Sequence, residues 1–132
     1  MTERNEKLLQ AATAMFSRYG VAKTTMNDIA REAGVARQTL YNSYAGKEEV
    51  LRAVVKHMGD ESARAILAGW KDAPTLADKI DVFFQFGPLT WYDAVASSPE
   101  MADLLERIHE TAQSEMSEMS AYAVARWEEV LQ

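Results

Sequence analysis

The sequence of 132 residues contains no cysteine. A disulfide framework, a thiolate metal site and a cysteine nucleophile are therefore excluded, and the composition fits a reducing compartment. Long apolar runs are missing as well, because residues 1–10 carry charges where a signal peptide needs an apolar segment. No later stretch approaches the roughly 18 apolar residues that a membrane span requires. We therefore expect a cytoplasmic protein that does not contact a membrane.

The sequence also lacks the short motifs of several enzyme classes. It has no serine nucleophile elbow, no P-loop and no dinucleotide-binding glycine fingerprint. Glu106 and His109 have the Glu-x-x-His spacing of di-iron helix bundles, but such a site needs a second copy. The only other histidine, His57, has Val54 three residues before it, so the second copy is absent. We therefore expect no enzyme, no bound metal and no cofactor.

The net charge of −6 is unevenly distributed. Residues 1–50 carry seven lysines and arginines against six acidic residues, whereas the rest of the chain carries seven against fourteen. An acidic body repels DNA at long range, but salt screens charges that lie more than about 10 Å apart. A locally positive face in the first 50 residues can therefore bind nucleic acid.

Strand-like alternation is absent, and apolar residues recur at helical spacing instead, so we predict an all-α chain of one or two small domains. Helix one should span residues 3–19 and end at Gly20, which suits a left-handed cap. Its buried face should consist of Leu8, Leu9, Ala12, Met15, Phe16 and Tyr19.

Two short helix signatures follow, separated by a glycine turn. Thr25 and Asp28 have the spacing of a capping box at the start of helix two, and Gly34 supplies the positive φ that ends it. Helix three should cover about residues 37–44, with Leu40 and Tyr44 facing inward. Helices of this length are not stable alone, so they must pack against helix one.

A longer helix four should begin at Lys47 and reach Trp70. We expect bending or fraying at Gly59 and Gly69, since each glycine costs about 1 kcal/mol relative to alanine in a helix interior.

Three further signals divide the remaining chain. Thr75 should cap helix five, Gly87 and Pro88 should kink or split it, and Ser98 should cap a helix that begins with proline. One or two helices should then reach the end of the sequence. In helix five we expect burial of Leu76, Ile80, Phe83, Phe84 and Phe86.

A specific pattern of small, aromatic and hydroxyl residues lies between residues 9 and 51. It comprises Ala11, Ala12, Phe16, Tyr19, Gly20, Thr24, Thr25, Ile29, Ala30, Ala33, Gly34, Val35, Thr39, Leu40, Tyr41, Tyr44, Lys47 and Glu48. In this pattern the chain resembles the TetR family of bacterial one-component transcriptional regulators. The resemblance implies a helix-turn-helix DNA-binding domain over residues 1–47 and a helical regulatory domain over residues 48–132.

The resemblance also implies a ligand-responsive repressor that binds a palindromic operator on double-stranded DNA as a homodimer. Its effector would be a small molecule of unidentified chemistry. Family members dimerise through the last two helices of a larger C-terminal domain, and we expect this sequence to end before them. Either the regulatory domain is then truncated, or the chain dimerises through another surface. The competing hypothesis is a helical protein-interaction module whose helix-turn-helix is non-functional.

Eight residues stand at positions that family members use on DNA. They are Thr25, Arg37, Gln38, Thr39, Tyr41, Asn42, Ser43 and Lys47. Arg37 and Gln38 have the donors for base edges, arginine suiting guanine and glutamine suiting adenine. The hydroxyl groups and Lys47 suit phosphates. The plainer alternatives are a solvated helix face for Arg37 and Gln38, a packing aromatic for Tyr41 and a surface lysine.

Two positions depart from the family pattern. Ala36 stands where a serine is common, which removes a helix cap worth roughly 0.5–2 kcal/mol. Tyr44 stands where phenylalanine is usual. Neither departure removes an expected DNA contact.

A set of aromatic and neighbouring residues in the second half of the chain can line an effector cavity. It comprises Trp70, Phe83, Phe84, Phe86, Trp91, Tyr92, Met101 and His109. Aromatic residues at helical spacing also serve as ordinary core, and that alternative stays open. A kink at residues 87–88 would open space between helices, as a pocket requires.

Overall fold

The structure is a computed structural model that describes residues 3–132, except the side chains of Pro88, Thr90, Trp91, Ala94 and Val95. Over this range the chain forms eight α-helices and no strand, which confirms the all-α prediction. The helices are α1 (Glu3–Tyr19), α2 (Met26–Ala33), α3 (Arg37–Ser43), α4 (Lys47–Trp70), α5 (Leu76–Phe86), α6 (Pro88–Ser97), α7 (Pro99–Thr111) and α8 (Gln113–Leu131).

Helix α1 packs against α2, α4 and α7. Leu8, Leu9 and Phe16 on its inner face are almost completely buried, together with Ile29 of α2 and Leu40 of α3. Burial of apolar side chains against α1 is what stabilises helices as short as α2 and α3. The predicted buried face of α1 was wrong at two positions, because Met15 is only partly buried and Tyr19, the last residue of the helix, is exposed.

The ends of the first two helices follow the predicted chemistry. The Thr25 hydroxyl oxygen accepts a hydrogen bond of 3.1 Å from the Asp28 N–H, and the Asp28 carboxylate accepts one of 2.9 Å from the Thr25 N–H. Gly20 and Gly34 both have positive φ, 84° and 72°, which L side chains rarely adopt. The capping box and the two glycine caps are therefore confirmed.

Helix α4 runs without a break through Gly59 and Gly69, so the predicted fraying is not observed, while the bending expected as its alternative stays a prediction. Their role is close packing instead. A Cβ atom at Gly59 would lie 2.8 Å from the Met119 side chain, and one at Gly69 would lie 2.7 Å from Cγ1 of Val82. The two glycines therefore let α8 and α5 approach the backbone of α4.

The breaks predicted in the second half are confirmed. Thr75 caps α5, the chain divides at Gly87 between α5 and α6, and the Ser98 hydroxyl accepts a hydrogen bond of 3.2 Å from the Met101 N–H. Two helices, α7 and α8, complete the chain. Among the residues that the structure describes, no helix is both long and apolar enough to cross a membrane.

The predicted burial of α5 is wrong. Four of the five residues are exposed, and only Phe83 is partly buried; the exposed side chains are Leu76, Ile80, Phe84 and Phe86. Within the described chain, α5 makes its main contacts with α4 and α6, which cover one face of it. Apolar spacing identifies a helix, but it does not say which face has a partner.

Helix α7 joins the second half of the chain to the first. Leu104 and Ile108 are buried, and they belong to the same cluster as the core residues of α1 to α4. The buried core is therefore continuous across residue 47, and α1 contacts helices from both halves.

Candidate nucleic-acid interface and effector cavity

Helix α3 presents a polar face to solvent on a buried apolar anchor. Leu40 has no exposed surface, so it fixes the rotation of the helix about its axis. The opposite face carries five exposed side chains, Arg37, Gln38, Tyr41, Asn42 and Ser43, while Thr39 is partly buried. The structure therefore brings six of the eight predicted DNA-contacting residues together on one short helix.

Two pairs of side chains one helical turn apart order this face. The Arg37 guanidinium carbon lies 5.1 Å from the centre of the Tyr41 ring, within the range of a cation–π contact. The Gln38 amide nitrogen donates a hydrogen bond of 2.9 Å to the Asn42 side-chain oxygen. Pairs at this spacing stabilise a helix and restrict their own rotamers. Arg37 and Gln38 keep free donors that can reach the edges of bases.

The two ends of α3 are held differently. Ala36 offers no side-chain hydrogen bond at the N-terminal end, as expected from the missing serine. At the other end, the Tyr44 hydroxyl donates a hydrogen bond of 2.5 Å to the Asn5 side-chain oxygen of α1. Burial raises the pKa of Tyr44, and the hydrogen bond with Asn5 opposes part of that shift. Sequence reasoning missed this contact, because it joins residues 39 positions apart.

Thr25 lies at the start of α2, where its hydroxyl oxygen serves the helix cap while its proton stays available for a phosphate oxygen. The pKa of Asp28 is lowered, first by the hydrogen bond from the Thr25 backbone and then by the hydrogen bond with the Thr25 side chain. The more distant Arg31 guanidinium, 3.9 Å from the carboxylate, lowers it further. The cap therefore prefers ionised aspartate.

Lys47 faces the protein rather than open solvent. Its ammonium nitrogen donates hydrogen bonds of 2.8 Å to the Val21 carbonyl and 3.1 Å to the Thr24 carbonyl. Two of its three N–H groups are thus engaged, and one is left for a phosphate. The expected phosphate contact of Lys47 stays a prediction, as do the base and phosphate contacts of the other seven residues.

A partly open cavity of about 630 Å³ lies between α4, α5 and α8. Three aromatic rings from these helices meet at one end of it: the centre of the Trp127 ring is 4.9 Å from that of Trp70 and 5.4 Å from that of Phe83. The Trp70 indole N–H donates to the Lys79 carbonyl at 3.0 Å, which fixes the ring. An apolar cavity of this size can accept a drug-sized molecule.

Of the residues predicted to line a cavity, the structure places Trp70 and Phe83 there. Among the other described members of that set, four are exposed on α5, α6 or α7 and one packs partly against the core; they are Phe84, Phe86, Tyr92, His109 and Met101. The side chain of Trp91 lies outside the described residues. The predicted set failed where an aromatic side chain faces solvent, because helical spacing does not identify which face has a neighbour.

The prediction missed the contribution of α8. Met119, Tyr122, Arg126 and Trp127 all line the cavity. The Arg126 guanidinium also lies 4.9 Å from the Tyr122 ring centre and forms a 2.7 Å ion pair with Glu129. The available signal was the helical spacing of apolar residues such as Met119 and Trp127, but this spacing does not identify the helix that packs against them.

Residues 8–54 match the family model described as bacterial regulatory proteins, tetR family. The chain is 42% identical over 53 residues to the transcriptional regulator SrpR of Pseudomonas putida and 41% identical over 51 residues to the transcriptional repressor KstR2 of Mycobacterium tuberculosis. These matches cover 40% and 39% of this chain but only 25% and 26% of the two relatives. The chain thus spans about a quarter of the length of the curated relatives it matches.

The fold is similar over a longer range. The structure of the fatty acid degradation regulator FadR from Bacillus halodurans superposes with a TM-score of 0.76 at 19% identity, covering 99% of this chain and 67% of that chain. At this identity the similarity shows the fold alone. The fold similarity therefore extends over nearly the whole chain, whereas the family-model match is confined to residues 8–54.

Proposed function

We propose that this chain is a DNA-binding transcriptional repressor of the TetR family that responds to a small molecule, and the match of residues 8–54 to the tetR family model supports this. The observation that carries the proposal is the polar face of α3, with Arg37 and Gln38 exposed opposite a fully buried Leu40. A helix of this kind fits the major groove and carries donors for base edges. The curated relative KstR2 is itself named a repressor.

The contacts divide into two kinds. Arg37 and Gln38 read base edges, and Asn42 holds Gln38 through their hydrogen bond. The hydroxyl groups on and beside the helix contact phosphates and set its position in the groove; they belong to Thr25, Thr39, Tyr41 and Ser43. Two copies of the chain bind as a homodimer to a palindromic operator, with half-sites about 34–36 Å apart along the duplex.

The cavity between α4, α5 and α8 is the proposed effector site. It lies along α4, and the same helix begins beside the helix-turn-helix. An effector that binds one orientation of α4 more tightly than another shifts the population towards that orientation. The distance between the two α3 helices of the dimer then changes. In this scheme residues 1–47 bind DNA and residues 48–132 regulate, in the cytoplasm and without catalysis or a cofactor.

The test is selection of a binding sequence from a random duplex library, followed by affinity measurements on variants. Arg37→Ala and Tyr41→Ala should each weaken binding to the selected duplex, Arg37→Ala by roughly 5- to 150-fold, the range of a lost bidentate base contact. Arg107→Ala is the matched control, because Arg107 is an exposed arginine on α7. Unchanged affinity in both α3 variants would refute the proposal.

A further inference from the structure

The first residue of α4 is connected to the segment between α1 and α2, the connector of residues 20–24. The Lys47 ammonium bridges the carbonyl oxygens of Val21 and Thr24, at 2.8 and 3.1 Å. These acceptors lie 26 and 23 residues earlier in the chain, so the contact joins two separate parts of the fold. Hydrogen bonds from a charged donor are roughly twice as strong as neutral ones.

The connector is itself held in one conformation. Gly20 has a positive φ of 84°, and the buried Thr24 hydroxyl donates a hydrogen bond of 2.8 Å to the Gly20 carbonyl. The Thr24 N–H donates to the Val21 carbonyl at 3.3 Å, and Val21 is buried in the core. Thr25, the N-cap of α2, follows directly. Any shift of the connector therefore moves the start of α2 and the helix α3 that packs on it.

The location of Lys47 needs a compensating contact. A helix N-terminus carries a partial positive charge, so a cation in the first turn is electrostatically disfavoured there. Glu48 and Glu49 supply the favourable charge in the same turn. The two carbonyl acceptors explain how the lysine is nevertheless accommodated, and they direct its ammonium towards the connector.

We propose that Lys47 is a positioning residue, whose ammonium holds the start of α4 against the connector and so sets the orientation of α2 and α3 relative to the body. This assignment is an alternative to the phosphate contact expected from the sequence, and its effect on DNA binding rests on the proposed function. A movement of α4 then reaches the reading helix through the Lys47 contact. The contact itself exists without DNA, so it can be tested separately.

The test compares Lys47→Met, which keeps the aliphatic stem but removes the donors, with Lys47→Arg, which keeps the charge and donors. Lys23→Met is the matched control, because Lys23 is an exposed lysine in the same connector. Native-state hydrogen exchange is measured without DNA at the amides of Thr24, Asp28 and Ile29, relative to amides within α1. We expect at least roughly tenfold faster exchange in Lys47→Met, near-normal exchange in Lys47→Arg and no change in Lys23→Met.

A second measurement separates positioning from phosphate binding. Affinity for the duplex selected by the wild-type protein is measured against salt concentration, at a temperature where each variant is folded. A positioning role predicts that Lys47→Met binds the duplex more weakly, with an unchanged slope of log affinity against log salt concentration. It also predicts that Lys47→Arg restores the affinity. A phosphate contact instead predicts a log–log slope shallower by about 0.9 for each Lys47 in the complex.

The outcomes are distinct. Unchanged exchange in Lys47→Met, or a slope reduced by the amount expected for a lost phosphate contact, overturns the assignment. If Lys47→Met does not fold, Lys47→Gln takes its place under the same criteria. If the wild-type protein selects no duplex, the proposed function fails, while the exchange measurement still decides whether Lys47 holds the connector.

Discussion

The helices around the helix-turn-helix and the helices around the cavity differ in how completely their apolar faces are covered. In α1 to α3, Leu8, Phe16, Ile29 and Leu40 are buried to 1% exposure or less. In α5 and α8, none of the described residues is buried, and Tyr92 of α6 is 71% exposed. The apolar faces of α1 to α3 are therefore covered, with contributions from α4 and α7, whereas α5, α6 and α8 keep large apolar side chains exposed in the described chain.

The largest effect that separates the two regions is on stability. Leu40→Ala should lower the free energy of unfolding by about 2–5 kcal/mol, because it leaves a cavity under α3. Phe84→Ala, at a position 47% exposed whose ring meets the edge of Phe83, should lower it by only about 0.5–1.5 kcal/mol. Urea denaturation of both variants provides the comparison. A large loss of stability in Phe84→Ala that depends on protein concentration would contradict this difference between the regions. It would show that a second copy of the chain covers α5.

The contact between Gly69 of α4 and Val82 of α5 sharpens the comparison. This contact is close, although most of the apolar side chains of α5 are exposed. Gly69→Ala should lower the free energy of unfolding by about 1–3 kcal/mol, because the new Cβ atom meets Val82 at 2.7 Å. Helix propensity alone predicts the opposite sign, a gain of about 1 kcal/mol. The loss should shrink when Gly69→Ala is combined with Val82→Ala. A stabilised single variant would rule out close packing as the role of this glycine.

The smallest expected effect is the acid response of the α2 cap. The pKa of Asp28 in the folded protein is below its ordinary value of 3.8, so the unfolded state takes up the proton first as the pH falls. The stability that ionised Asp28 contributes is therefore complete above the ordinary value and is lost as the pH drops through the folded value. Asp28→Asn should show a flatter dependence of unfolding on pH in this acidic window. Identical curves for both proteins would contradict an ionised cap.

How far the sequence predicted the structure also differs between the regions. The capping box at Thr25, the positive φ of Gly20 and Gly34, and the split at Gly87 are local properties, and short sequence patterns identified them. The bonds from Lys47 to the connector and from Tyr44 to Asn5 join distant positions, and no local pattern indicated them.

The cavity shows the same limit. Trp70 and Phe83 were identified as aromatic residues on adjacent helices, but Trp127 comes from α8, and its contact with them depends on how α8 packs on α4. Three exposed aromatic residues were included in the predicted set because their spacing matched a buried face; they are Phe84, Phe86 and Tyr92. Which face of a helix meets a neighbour is decided by tertiary packing, and a single sequence does not contain that information directly.

The most direct test of DNA binding by the α3 face is the salt dependence of wild-type affinity for the selected duplex. Contacts to several phosphates predict a linear fall of log affinity with log salt concentration, with a slope of about −0.9 for each phosphate neutralised. We expect such a slope for the selected duplex and a lower affinity for a scrambled one. A response that does not change with salt would contradict the account and favour a helical protein-interaction module.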